Sequence, residues 1–449
     1  MGEFATIFKA YDVRGTVPDQ FDPSMARAIG AAFARFVRDD DPGAGRVLVA
    51  RDMRPSGPEM VAAFTDGVCS QGLDVVDLGL ASTDLVYFAS GSQGAPAVMF
   101  TASHNPAQYN GMKFCLSGAR PVGEESGLFT IRDLAAAGVS ADGLRGQVST
   151  LDLLGAFADH VRSFVDVDAL KPLRVVADTA NGMGGLVVPA VFEELPFDLE
   201  VMYGELDGTF PNHPADPINP DNQRDLVARV REVGADVGLA FDGDADRVFL
   251  VDERGVGLSG STTTAILADA ILAQHPGGKV VHNLICSKAV PEVVREAGGT
   301  PIRTRVGHSF IKQVMAQEQA VFGGEHSAHY YFADNYRADS GLIAAVMVLE
   351  QICLRGIPLS ELRRPYERYA DSGEINTRVA DPAAVIAKVE AAYAGTPQDR
   401  LDGLTVDAGD WWFNLRPSNT EPLLRLNVEA ATPAECERRV AEVRALLEG

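Results

Sequence analysis

The sequence predicts an α/β fold repeated in three domains, with a smaller α+β domain at the C-terminal end. Three observations predict it. A short β-branched run, a polar loop and an amphipathic helix recur along most of the chain. The unit restarts at Arg174-Val175-Val176-Ala177-Asp178 and again at Lys279-Val280-Val281-His282. Near residue 370 the pattern changes: 411–415 and 423–428 read as strands, and a helix begins near Pro433. The expected domains are 1–145, 146–253, 254–369 and 370–449. Length agrees, because 449 residues exceed one ordinary core.

The elements follow in order. Asp22-Pro23 opens the first clear helix with an N-cap acceptor and a first-turn proline. Met25, Ile29, Phe33 and Phe36 then recur at helical spacing. Residues 46–50 read as a buried strand leading into the loop 51–57, and 97–100 as a strand leading into 101–106. Two strands, 237–241 and 248–251, flank an acidic loop. A helix is expected over 262–274 and a strand over 320–322.

Composition bounds the chemistry. With 46% hydrophobic and 22% charged residues, the chain is a soluble globular one. A net charge of −23 argues against nucleic acid or an anionic membrane as partner. It leaves room for an anionic small substrate, since local arginines and helix N-termini act at close range. The five cysteines form no CxxC pair, which fits a reducing cytoplasm. The first residues lack the basic and apolar runs of a signal peptide, and no apolar stretch is long enough to span a bilayer.

Two segments carry reactive groups. In 101–106 (TASHNP), Ser103 follows a strand and precedes the turn-initiating pair Asn105-Pro106. Ligands gather at the carboxyl ends of strands in open α/β sheets. No GxSxG elbow is present, which sets aside an esterase-type serine. His104 and Lys113 are nearby candidates for handling a proton or supplying charge. In 242–247 (DGDADR), Asp242, Asp244 and Asp246 alternate with small residues. On an extended backbone that spacing puts three carboxylates on one side. Such carboxylates repel unless a cation joins them, and hard oxygen ligands select Mg²⁺ or Ca²⁺. An EF-hand is excluded, because Arg247 stands where that loop needs glycine and the flanks read as strands.

Other segments divide into decoys and candidates. The GxGxxG match at 255–260 lacks the later acidic residue of a dinucleotide site and reads as a hairpin turn. No GxxxxGK[ST] is present. Residues 324–329 (GEHSAH) cluster polar groups, of which Glu325 and Ser327 suit sugar hydroxyls. Arg416, Ser418, Asn419 and Thr420 bring a guanidinium, two hydroxyls and an amide to one segment, a good cradle for a monophosphate.

These four segments, in this order and together with Arg14 in 9–15 (KAYDVRG), resemble the α-D-phosphohexomutases over essentially the whole chain, most of all their bacterial phosphomannomutase/phosphoglucomutase branch. The resemblance implies four domains around a central cleft, three of them α/β with mixed sheets. It implies a phosphoryl group on Ser103 and Mg²⁺ on Ser103, Asp242, Asp244 and Asp246. Arg14 and Arg247 would stabilise the transferring phosphoryl, with His104 and Lys113 beside it. Gly307, His308, Glu325 and Ser327 would bind the sugar; Arg416, Ser418, Asn419 and Thr420 would hold its unreacting phosphate. A hexose 1,6-bisphosphate would serve as intermediate and activator. The partners implied are hexose phosphates, in a monomer or weak homodimer. Three departures stand out. Ala245 replaces a frequent glycine; His326 and Ala328 replace a frequent Met and Gly; Ile285 stands where a basic residue is common, with Lys288 the nearest substitute.

The expected function is interconversion of hexose 6-phosphate and hexose 1-phosphate, for mannose, glucose or both. Two rivals share parts of the machinery. A phosphoglucosamine mutase would differ in sugar, and a Mg²⁺-dependent sugar phosphatase would need only one phosphate site.

Overall fold

A computed structural model describes residues 2–141, 143–417 and 423–448 of the chain. The chain forms two compact units, Met1–Ser259 with Ser327–Leu362, and Gly260–His326 with Arg363–Gly449.

The first unit contains two mixed sheets. In the first, the strands run in the order Val13–Thr16, Tyr109–Leu116, Ala97–Phe100, Arg46–Arg51, Asp74–Leu80, Val148–Thr150. The last four are mutually parallel, while Tyr109–Leu116 runs antiparallel to both of its neighbours in this order. The second sheet has the order Val248–Asp252, Val237–Phe241, Arg174–Asp178, Asp198–Met202, antiparallel only at its first pair. Parallel strands need crossover helices, which is why strand and helix alternate in the sequence.

Helix Pro23–Asp40 starts where expected. Asp22 accepts a hydrogen bond from the Met25 amide at 2.9 Å, and Pro23 occupies the first turn. Its buried stripe, including Ala26, Ile29, Phe33 and Val37, packs on helix Gly57–Cys69. The two helices approach closely at Gly30, where a Cβ would lie 2.2 Å from the Phe64 carbonyl oxygen. Phe33, Phe64, Phe100 and Phe114 then fill the space against the sheet, with ring centroids 5.0 Å apart for Phe33–Phe114 and 5.4 Å for Phe64–Phe100. The unit also contains helix Gly341–Arg355, apolar on nearly all sides and buried accordingly. Its N-cap, Ser340, accepts from the Ile343 amide and donates to Asp84 at 2.7 Å.

The second unit joins a parallel sheet to an antiparallel one. Lys279–Asn283 lies between Thr300–Thr304 and Phe322–Gly324, all parallel. The expected strand over 320–322 therefore begins two residues later. Gln319 adopts φ 55°, and the Ala320 amide caps the preceding helix on Met315, so the chain turns before it extends. The C-terminal sheet runs Ala370–Arg378, Leu423–Ala430, Trp411–Pro417, Leu404–Asp407, Gln398–Asp399, antiparallel throughout. Helices Pro382–Ala392 and Pro433–Glu448 pack on it around Trp411, Phe413, Leu426 and Val443. Among the described residues no single helix is long and apolar enough to cross a membrane.

Candidate active site

The serine loop leaves strand Ala97–Phe100 and returns in Tyr109–Leu116. Ser103 sits at φ 47°, in the left-handed region that costs energy for any residue with a Cβ. Local bonds hold it there. Its amide donates to Thr101 Oγ1 at 2.9 Å, and the Asn105 amide donates to the Ala102 carbonyl at 2.9 Å. The side chain is buried, and Oγ donates to Asp242 Oδ2 at 2.9 Å.

Asp242 opens the loop joining the antiparallel strands Val237–Phe241 and Val248–Asp252. This loop is a tight turn rather than the extended segment its alternate spacing suggests, with Ala245 at φ 60°. The curl still converges the carboxylates: Asp242, Asp244 and Asp246 each offer an oxygen within 4.8 Å of the others. The two loops touch at Gly243, where a Cβ would lie 2.4 Å from the Ser103 carbonyl oxygen. Glycine is required here by contact with backbone.

Three fully buried carboxylates need compensation. Lys113, projecting from strand Tyr109–Leu116, bonds Asp244 Oδ2 at 2.8 Å and Asp246 Oδ2 at 2.6 Å. Arg247 bonds Asp242 through Nε at 2.9 Å and places its other arm 2.8 Å from His104 Nδ1. Burial pushes Asp242 up to about 7, against the pull of Arg247. Burial acts on Asp244 too, but Lys113 overrides it and holds this carboxyl below the ordinary range. The same contacts hold Lys113 well above its ordinary value in spite of burial. Burial, then Arg247 and Arg14, hold His104 well below its ordinary value. His104 is thus neutral, and Nδ1 accepts from Arg247. Two carboxylate oxygens, Asp244 Oδ1 and Asp246 Oδ1, are buried without a hydrogen bond. Orphaned anionic oxygens beside a third carboxylate and a serine hydroxyl fit a hard divalent cation.

Arg14 lies on strand Val13–Thr16, paired with Tyr109–Leu116, so one strand ladder positions both Arg14 and Lys113. Arg14 donates to Asn105 Oδ1 at 2.5 Å and pairs with Asp12. The structure therefore brings together Ser103, His104, Lys113, Arg14, Arg247 and the three aspartates.

Sequence reasoning missed a supporting layer. Thr83, at the first turn of helix Thr83–Gln93, donates Oγ1 to Asp244 Oδ2 at 2.6 Å and its amide to the Asp244 carbonyl at 3.0 Å. His329 bonds Asp339 at 2.9 Å and lies 3.8 Å from Asp246 Oδ1. Arg54, wholly buried with Asp52, bonds the backbone of the serine loop. The Ser82–Thr83 pair before an apolar run was a legible N-cap signal; nothing in the sequence marked Arg54 or the His329–Asp339 pair.

Of the remaining candidates, Gly307 (φ 132°) precedes helix His308–Glu318 in the second unit. Glu325 is buried and accepts from Asn283 Nδ2 at 3.0 Å. His326 Nδ1 lies 3.0 Å from Ser261 Oγ. Arg416 is buried beside Glu374 at 2.5 Å and Asn427 at 3.2 Å. Ser327 begins the return of the chain to the first unit. Ser418, Asn419 and Thr420 lie outside the described residues. Lys288 is not a free substitute for the basic residue missing at 285: its amine bonds Asp407 at 2.6 Å and the Gly409 carbonyl at 2.9 Å.

Comparison with known proteins identifies the family. Residues 5–149, 155–255 and 259–369 match the models of phosphoglucomutase/phosphomannomutase alpha/beta/alpha domains I, II and III, and 374–446 matches the C-terminal domain of the same family. A Xanthomonas campestris protein named for phosphohexose mutases is 42% identical over 98% of this chain and 99% of its own length. A phosphomannomutase of Escherichia coli K12 is 39% identical over 95% of each. A crystal structure of a phosphoglucomutase/phosphomannomutase family protein from Burkholderia thailandensis superposes with a TM-score of 0.89, at 32% identity, over 99% of this chain and 97% of that one. A putative phosphomannomutase from Thermus thermophilus gives 0.85 at 25% identity, over 98% and 99%. The chain belongs to the phosphoglucomutase/phosphomannomutase family and is a hexose-phosphate mutase, an isomerase.

Proposed function

We propose that the chain interconverts the 6- and 1-phosphates of mannose, and of glucose, through a phosphorylated Ser103 and a hexose 1,6-bisphosphate. The observation that carries this reading is the 2.9 Å bond between Ser103 Oγ and Asp242 Oδ2, which joins the nucleophile loop to the carboxylate loop. Mannose is placed first because several relatives near 40% identity are named phosphomannomutases.

In the first half-reaction the free hydroxyl of the bound hexose phosphate attacks the phosphorus on Ser103. A new P–O bond forms to the sugar, and the Oγ–P bond breaks. The hydroxyl proton leaves to a neighbouring base, and Oγ departs as an alkoxide beside the positive charge of Arg247 and Lys113. The second half reverses these events with the other phosphate, so Ser103 ends phosphorylated. Asp242, Asp244 and Asp246 would hold Mg²⁺, which when bound neutralises charge on the transferring phosphoryl. Arg247, buried, and Arg14, half-buried, supply fixed positive charge from prearranged positions. Neutral His104 and cationic Lys113 stand beside the phosphoryl site.

In this reading, Gly307, His308, Glu325 and Ser327 bind the sugar, and Arg416, Ser418, Asn419 and Thr420 bind its second phosphate. The five cysteines, all buried and none in a disulfide, fit a cytoplasmic protein. Ser103→Ala tests the whole scheme. Turnover of mannose 1-phosphate should fall on the order of 10⁴-fold or more, as for loss of other nucleophiles. A fully active variant would sink it.

A further inference from the structure

We infer that Arg54 is a positioning residue for phosphoryl transfer: its guanidinium fixes the backbone of the serine loop and thereby the direction of Ser103 Oγ. This rests on the reading of Ser103 as the phosphoryl carrier.

A guanidinium has five N–H donors in a rigid plane. All five of Arg54 are spent nearby. Nε donates to Asp52 Oδ2 at 3.0 Å. Nη1 donates to the carbonyls of Pro106 at 2.8 Å and Tyr109 at 3.0 Å. Nη2 donates to those of Ser103 at 2.9 Å and Asn105 at 2.7 Å. Four carbonyls of the loop that carries the nucleophile thus point at one buried cation. No donor remains for a substrate, and Arg54 is 0% exposed, so it acts through the loop.

The counter-charge is part of the device. Asp52 also accepts from the Arg54 amide at 3.0 Å, and its own amide donates to the Phe100 carbonyl at the end of the strand before the serine loop. Thr101 bonds Asp52 through its side chain and accepts the Ser103 amide on the same hydroxyl oxygen. Ser103 is therefore held from both sides, its carbonyl by Arg54 and its amide by Thr101 on Asp52. This double grip explains how a serine persists at φ 47°. Phe210 closes the far side, its ring centroid 5.2 Å from the guanidinium carbon.

Lysine keeps the charge but has three donors on one nitrogen and cannot span four carbonyls. The test uses the full chain with Arg54→Lys, Arg54→Ala and Asp52→Asn, each confirmed folded and titrated for active fraction. A nucleophile displaced by a fraction of an ångström to 1 Å loses roughly 10- to 100-fold in rate. The expected result is a fall of that size in kcat for Arg54→Lys, with KM within about threefold of wild type. Amides of 101–109 should exchange faster with solvent. Millimolar guanidinium should restore much of kcat to Arg54→Ala, and ammonium should not. If both Arg54 variants fail to fold, Asp52→Asn carries the test, with a smaller loss of kcat at unchanged KM. Wild-type kcat per active molecule in any folded Arg54 variant overturns the inference, as does an unaffected Asp52→Asn. Failure of the mutase reading is separately visible, because wild-type Ser103 would then take no phosphate from a hexose 1,6-bisphosphate.

Discussion

Ser103 Oγ donates a hydrogen bond to Asp242 Oδ2 at 2.9 Å, although 139 positions separate the two residues in the chain. Asp242 also anchors Arg247 through Nε, so one carboxylate aligns both the nucleophile and a guanidinium. Asp242→Ala should therefore cut turnover by about 10²- to 10³-fold and weaken Mg²⁺ binding. Steady-state kinetics with a Mg²⁺ titration checks both; a change in KM alone would contradict the shared role.

Lys113 touches both Asp244 and Asp246 from a buried position. Lys113→Met leaves two buried carboxylates without this cation. Breaking such a pair costs roughly 3–5 kcal/mol, and that loss should appear in denaturant unfolding with chelator present. Added Mg²⁺ should recover part of it by binding the folded state. Equal stability of variant and wild type in chelator would refute the pairing.

Thr83 bonds Asp244 by side chain and backbone. Removing the hydroxyl in Thr83→Val frees one carboxylate oxygen to rotate. Outer partners of this kind are worth about 10- to 100-fold in metal affinity. Calorimetry should show that weakening for Mg²⁺, with little change in fold. Unchanged affinity would reduce Thr83 to an ordinary helix-start residue.

His282, in strand Lys279–Asn283, donates through Nδ1 to the Asn283 carbonyl, and burial pulls its pKa down to about 4. An unfolded chain returns it to the ordinary 6.5. Between those values the unfolded state takes up a proton that the folded state refuses. The stability contribution is thus complete above pH 6.5 and is lost as pH falls toward 4, by up to about 1.4 kcal/mol per pH unit. His282→Gln should flatten this part of the profile. Unfolding midpoints near pH 7.5 and pH 5 decide it; parallel losses in both proteins would be the wrong outcome.

Much of this was legible because loops following strands carry the chemistry, and 101–106 and 242–247 both lie where strands end. The three aspartates converge, though not through the extended backbone that their spacing suggests. Alternate spacing implied an extended segment, whereas the turn at Ala245 gathers the carboxylates. The positive φ of Ala245 is a conformation that glycine adopts without strain. Arg54 stayed invisible because its partners are backbone carbonyls, which every sequence has. His329 and Asp339 pair across a turn closed by the Tyr331–Asp339 bridge, and no spacing rule marks that. The strand expected over 320–322 was displaced because a helix end claims Ala320.

The most direct measurement is a single turnover of enzyme carrying labelled phosphate on Ser103. Mixed with unlabelled hexose 6-phosphate in Mg²⁺ and quenched, it should pass label to a hexose 1,6-bisphosphate at least as fast as kcat. Label that stays on the protein, or appears as inorganic phosphate at the rate of turnover, would contradict the account.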